Sequence, residues 1–112
     1  MKLPNADIAR VDREKITEYL LNPGHPDNGG KADFFINLGF RKEEWQTFAT
    51  ALCASAQKSS LCQSMESVHG KKYIVDAEIE TPIGKTPMVR TIWIVDKGER
   101  APRLVTAYPW EE

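Results

Sequence analysis

The chain has 112 residues, 41% of them apolar and 28% charged, and a formal net charge of −1. These values suit one globular domain with a single core. They exclude a protein that coats nucleic acid by bulk positive charge, although not one with a local basic pocket.

Residues 1–11 read as an extended lead-in, with Leu3, Ile8 and Val11 expected to pack on the core. The start, Met1-Lys2-Leu3-Pro4-Asn5-Ala6-Asp7, carries neither an apolar signal core nor an Arg-rich amphipathic pattern. No apolar run approaches the ~20 residues of a transmembrane helix. A cytoplasmic location is therefore expected. Asp12 is placed to cap a helix over about 13–21, with Ile16, Tyr19 and Leu20 as its apolar stripe. Asn22-Pro23 ends that helix, because a residue before proline is pushed out of the helical region.

The loop Asn22-Pro23-Gly24-His25-Pro26-Asp27-Asn28-Gly29-Gly30-Lys31 is dense in backbone breakers and runs straight into a second helix. Phe34, Phe35 and Leu38 form that helix's core face. Gly39 is expected as its left-handed C-terminal residue, with Phe40 making the accompanying apolar contact. A third helix spans about 42–57, with Glu43 and Glu44 in its first turn and Trp45, Phe48, Ala49 and Leu52 on its buried stripe. Residues 58–70 are polar and read as an irregular loop with a short turn around Leu61–Met65.

From Lys71 the period changes to two. Tyr73, Val75, Ala77 and Ile79 alternate with Lys72, Asp76, Glu78 and Glu80, the pattern of a half-buried strand. A turn over 81–85 leads to Met88–Val95, whose near-continuous apolarity predicts a central strand. A third strand covers Arg103–Tyr108. Helices followed by strands predict an α+β fold, with N-terminal helices packed on one face of a 3–4-stranded antiparallel sheet. The fourth strand is expected from the N-terminal arm or from the region near Val68. The whole reads as one domain over 1–112, with a helical half at about 11–58 and a β-meander at about 70–109.

Candidate chemistry gathers at the loop. Lys31 lies in the first turn of its helix, where a cation meets the positive end of the helix dipole at a cost of ~0.3–1 kcal/mol. Two readings account for it. In one, Lys31, the backbone N–H groups made accessible by Gly29-Gly30, and His25 folded back over the helix start form an anion site, with His25 able to move a proton. In the other, Asp27 offsets Lys31 and the loop is purely structural. Arg90 and Arg103, on adjacent strands, are candidates for a bidentate phosphate clamp or are solvated strand residues. Thr91 and Thr106 offer hydroxyls to such a site. Trp93 and Tyr108 are candidates to stack a base, although strand aromatics are more often core. His69 reads as an exposed loop histidine. Cys53 and Cys62 match no common zinc spacing and are expected as reduced thiols, Cys53 packed in a helix. No metal site and no cofactor is expected.

Several blocks together carry a family resemblance: Tyr19-Leu20-Leu21-Asn22, His25-Pro26, Gly29-Gly30-Lys31-Ala32, Phe35, Leu38-Gly39-Phe40, Gly70-Lys71-Lys72-Tyr73, Thr91-Ile92-Trp93-Ile94-Val95, Gly98 and the run from Pro102 to Pro109. Over nearly the full chain they resemble a bacterial family described as domain of unknown function 6883. Leu3-Pro4-Asn5-Ala6-Asp7 resembles the start of that family's standalone members. Related domains with a similar Leu-Asn, His-Pro, Gly-Gly, Lys-Ala block end large polymorphic toxins, and are similar to metal-independent ribonucleases of the barnase–EndoU–colicin–RelE superfamily. The resemblance implies a small toxin-type endoribonuclease that binds RNA and is matched by a cognate antitoxin or immunity protein. It implies His25 and Lys31 as site residues, with Thr91, Arg103 and Thr106 as sheet-side candidates. Taken with the reading of the loop and strands, the expected catalytic residues are His25, Lys31 and Thr106, and the expected substrate-binding ones Gly29, Gly30, Arg90, Thr91 and Arg103. RNA suits metal-free cleavage because its 2′-hydroxyl is the nucleophile. The alternative is a non-catalytic binding module, such as an immunity or antitoxin-like protein, which the near-neutral charge also fits.

Overall fold

The computed structural model describes residues 2–59 and 62–110, with Cys62 described in its backbone alone. Within them a short 3₁₀ turn, Ala6–Ile8, precedes α1, Arg13–Lys15, which runs on into a π-helical turn, Ile16–Leu20. Then follow α2, Lys31–Asn37, a 3₁₀ turn at Lys42–Glu44, and α3, Trp45–Lys58. The strands are β1, Cys62–Ser67; β2, Gly70–Glu78; β3, Met88–Asp96; and β4, Arg103–Pro109. They form one antiparallel meander in sequence order. This is the expected α+β arrangement, with the helices packed on one face of the sheet.

The alternation is realised as read: Tyr73, Val75 and Ala77 of β2, and Ile79 just past its end, are buried. Val89, Thr91 and Trp93 of β3 bury the same face, since register sets Tyr73 opposite Trp93 and Val75 opposite Thr91. Phe35, Phe40 and Phe48 close the core from the helical side. The end of α2 follows the expected chemistry. Gly39 has φ 97°, its N–H donates to the Ile36 carbonyl at 2.9 Å, and the Phe40 N–H reaches back to Phe35 at 3.3 Å. That bond pair is a Schellman cap, and the Phe35 and Phe40 rings make its apolar contact.

Four local expectations are corrected. The stretch read as an irregular loop contains β1, paired with β2 from Cys62 opposite Val75 to Ser67 opposite Gly70. Residues 63–66 are exposed, so no period-two signal marked it; the ladder to β2 holds the strand, with Glu66 3.8 Å from Lys71 and the Ser67 hydroxyl donating to the Gly70 carbonyl. Leu61 and the Cys62 side chain lie outside the described residues. Asp12 sits at the N-cap, yet its carboxylate caps nothing and lies 3.8 Å from Arg10. The third helix begins with a 3₁₀ turn rather than directly at Lys42. Leu3 and Val11 are buried, but Ile8 is 47% exposed. The arm adds no full strand. It makes one parallel bridge, Arg10 with Arg103, that covers the outer edge of β4.

A bulge in β4 positions the site. Ile92 pairs with Thr106, but Trp93 pairs with Leu104, which leaves Val105 as an extra residue. Leu104 and Ala107 therefore both reach the core, three residues apart. Thr106 and Tyr108 are turned to the face that carries Ile92 and Arg90. Unbulged alternation from Leu104 would have turned Thr106 inward. Among the described residues no helix is long and apolar enough to cross a membrane.

Candidate functional site

The site forms where the 22–31 loop and the start of α2 meet the bulged end of β4. Its hub is Tyr19, which the apolar stripe of the first helix had presented as a core residue. Tyr19 lies in the π-helical turn, whose defining bond runs from the Leu21 N–H to the Ile16 carbonyl at 2.8 Å. The Tyr19 carbonyl accepts from the Asn28 side chain at 2.6 Å. Asn28, 2% exposed, uses its Oδ1 to accept the Ala32 N–H at 2.8 Å, and its carbonyl accepts the Lys31 N–H. One buried amide thus ties the loop to both the π turn and α2. The same bonds occupy the Lys31 and Ala32 N–H groups, the first two of α2, so these two of the expected backbone donors are already partnered. Gly29 and Gly30, at φ 64° and 86°, bring the chain into α2 in two successive left-handed residues, a path costly for any side chain.

Lys31 then reaches Tyr19 and Thr106. Its ammonium donates to the Tyr19 hydroxyl at 2.5 Å and to Thr106 Oγ1 at 3.1 Å, and the two hydroxyls lie 3.3 Å apart. The ammonium also sits over the Tyr19 ring at 5.0 Å and the Tyr108 ring at 5.6 Å. Among the described residues no carboxylate pairs with it, Asp27 included. A half-buried cation surrounded by neutral acceptors and aromatic faces lacks its counter-ion. Burial pushes the Tyr19 phenol up, but the hydrogen bonds from Lys31 and Thr106, with the charges of Lys31 and Lys15, outweigh it and hold the phenol below its usual range.

His25 packs edge-on against Tyr19, ring centroids 5.0 Å apart. Its Nδ1 accepts the Asp27 N–H at 3.1 Å, so the neutral ring carries its proton on Nε2. His25 and Lys31 therefore share Tyr19 rather than facing each other. His25 and Tyr19 line an open depression of about 770 Å³ with Lys15, Lys42 and Arg103 and with the carboxylates of Asp12, Glu14 and Glu18. Lys31 lines a smaller one of about 420 Å³ with Gly29, Gly30, Tyr108 and Pro109.

The remaining candidates are placed elsewhere or are already engaged. Arg90 is held bidentately by Asp76, at 2.7 and 2.8 Å, and stacks on Trp110 at 3.5 Å. The Asp76 hydrogen bond, against a desolvation cost and with help from the Tyr108 hydroxyl, keeps its guanidinium well above its ordinary value. Arg103 is held by Asp96 at 2.7 and 3.1 Å. Each arginine thus has its carboxylate, and the pair does not form an open clamp. Thr91 is 1% exposed; its hydroxyl donates to the Val75 carbonyl and accepts the buried Trp93 indole N–H at 2.8 Å. It belongs to the core, as does Trp93. His69 is exposed in the β1–β2 turn. The Cys53 Sγ donates to the Ala9 carbonyl, and burial pushes its thiol up.

A chain from a structure described as "Contact-dependent growth inhibition toxin - immunity protein complex from Klebsiella pneumoniae 342" has the same fold, with a TM-score of 0.75 over 96% of this chain and 97% of that one. The two are 16% identical, so the likeness is one of fold. No curated protein matches the sequence. The model of a family described as a domain of unknown function (DUF6883) matches residues 2–111, nearly the entire chain, and the protein belongs to that family.

Proposed function

We propose that the protein is a metal-independent, ribonuclease-like toxin domain that cleaves RNA at the Tyr19–Lys31–Thr106 cluster. The observation that carries this reading is the half-buried Lys31 ammonium, held by two hydroxyls and paired with no carboxylate among the described residues. A phosphodiester supplies the missing negative charge. Lys31, with the Tyr19 and Thr106 hydroxyls, binds its non-bridging oxygens, which gain charge as the 2′-hydroxyl attacks phosphorus. His25 is the acid/base group: the neutral ring's lone pair is on Nδ1, which takes the 2′-hydroxyl proton on releasing the Asp27 N–H, and the ring returns a proton to the leaving 5′-oxygen. A second proton on the ring costs the Asp27 bond to Nδ1, so turnover at His25 is coupled to that turn. The fold neighbour, a chain of a toxin–immunity protein complex, supports a place in such a pair, as toxin or as immunity protein.

The test is cleavage of labelled tRNA in excess chelator. Lys31→Gln is expected to slow it by about 10²–10³-fold, as for loss of a preorganised charge donor. His25→Ala should cost ~10²–10⁴-fold, and Tyr19→Phe roughly tenfold. Undiminished cleavage by the His25 variant removes that residue from the mechanism. A second reading, a non-catalytic immunity or antitoxin-like module, is favoured by the neutralisation of both Arg90 and Arg103. It predicts no cleavage by the wild type and tight binding to the product of a neighbouring toxin gene.

A further inference from the structure

We infer that the 420 Å³ depression between Gly29-Gly30 and Tyr108 is a nucleobase subsite, which stacks a base on the Tyr108 ring while the attached phosphate meets Lys31. The inference rests on the anion-binding role of Lys31 and adds to it the part of the substrate that lies beside the phosphate. The cavity has the size of a small-molecule site. It is lined by an aromatic face, two residues without side chains, a proline and one cation, and by no carboxylate. That lining suits a planar group with a phosphate attached and disfavours a sugar, which needs several polar partners.

Tyr108 is prepared for the role in two ways. Its ring lines the depression, and among the described residues only the Lys31 ammonium, 5.6 Å from the centroid, lies over it, whereas Arg90 closes on Trp110 at 3.5 Å. Its position on β4 opposite Arg90 ties it to a rigid neighbour, because Asp76 grips that guanidinium bidentately. Arg90 thus becomes a positioning residue for Tyr108 rather than a phosphate ligand. On the opposite wall, a Cβ built on Gly29 or Gly30 would meet nothing within 4 Å, so the bare backbone leaves that volume free. Bases stack on aromatic side chains without regard to sequence, since every base has a π face. The subsite therefore predicts preference for a nucleotide over a baseless sugar phosphate, with weak discrimination among bases.

The experiment compares inorganic phosphate, ribose 5-phosphate and adenosine and cytidine 3′-monophosphates by titration calorimetry on the full chain. Both nucleotides should bind roughly tenfold or more tightly than ribose 5-phosphate. Tyr108→Leu should bring them down to the ribose 5-phosphate level and leave phosphate binding intact. Tyr108→Phe, which keeps the ring, should retain the preference and guards against a misfolded leucine variant. If wild type binds nucleotides and ribose 5-phosphate equally, the base subsite is overturned while the anion site stands. If Lys31→Gln binds inorganic phosphate as well as wild type does, the anion-site reading falls and takes the subsite with it.

Discussion

Asn28 shows how one side chain can hold a site without touching a ligand. Buried at 2% exposure, it gives a proton to the Tyr19 carbonyl and accepts one from the Ala32 N–H. Asn28→Ala strands both backbone groups away from water, which costs about 1–3 kcal/mol for each unsatisfied partner. Asn28→Asp keeps the acceptor for Ala32 but sets an anionic oxygen against the Tyr19 carbonyl, so it should destabilise comparably despite its matched shape. Urea unfolding of the three proteins checks this, and an aspartate variant as stable as wild type would contradict it. Tyr19 itself was hidden by its spacing. At three residues from Ile16 and one from Leu20 it reads as part of an apolar stripe, and a tyrosine there differs from a phenylalanine only in the hydroxyl that Lys31 uses. His25 and Lys31 were legible as unusual residues in a breaker-rich loop. What they share is Tyr19, and that depends on a π turn for which the sequence carries no marker.

The strands divide by what covers them. β2 and β3 were legible because one face of each is buried, which stamps alternation or continuous apolarity on the residues. β1 was legible only as one of two sources for a fourth strand, the region near Val68, since its exposed residues 63–66 carry no alternation. The partners of Arg90 and Arg103 were illegible for a related reason. Asp76 lies directly across from Arg90 only because of the β2–β3 register, and Asp96 reaches Arg103 only across the β3–β4 pair. Neither pairing is visible in one strand at a time. The Arg103 hydrogen bond, against a small desolvation cost and with help from its charge, holds the Asp96 carboxyl below the usual carboxylate range. A depressed folded-state value means that the pair stabilises the fold above the unfolded-state value, and that this contribution is lost as the pH falls through the folded one. Asp96→Asn should therefore weaken the protein at neutral pH and flatten the acid limb of its stability curve as the pH falls through and below the ordinary carboxylate range of about 4. Urea midpoints across that range measure it, and parallel curves for the two proteins would deny the pair this role.

Charge across the entire chain constrains how it can hold RNA. Fifteen Lys and Arg residues are set against sixteen Asp and Glu, and the two strand arginines nearest the site are committed to aspartates. The cations around the loop that enter no ion pair among the described residues are Lys31, Lys15 and Lys42. A single strand releases about 0.7 counterions per phosphate neutralised. Two or three contacts therefore predict a slope of roughly −2 for the logarithm of affinity against the logarithm of salt concentration. A basic RNA-coating surface with six contacts would give about −4. The shallow slope means that affinity must come from elsewhere, namely the geometry of one phosphate against Lys31 and the stacking of one base on Tyr108. Fluorescence anisotropy of a short labelled RNA on the His25→Ala variant, across a salt series, reads the slope without cleavage. A value near −2 that loses about 0.7 in Lys31→Gln is the expected result. A slope of −4 or steeper would instead require a second cationic surface far from this loop, and the phosphate footprint proposed for the Tyr19–Lys31–Thr106 cluster would be too small.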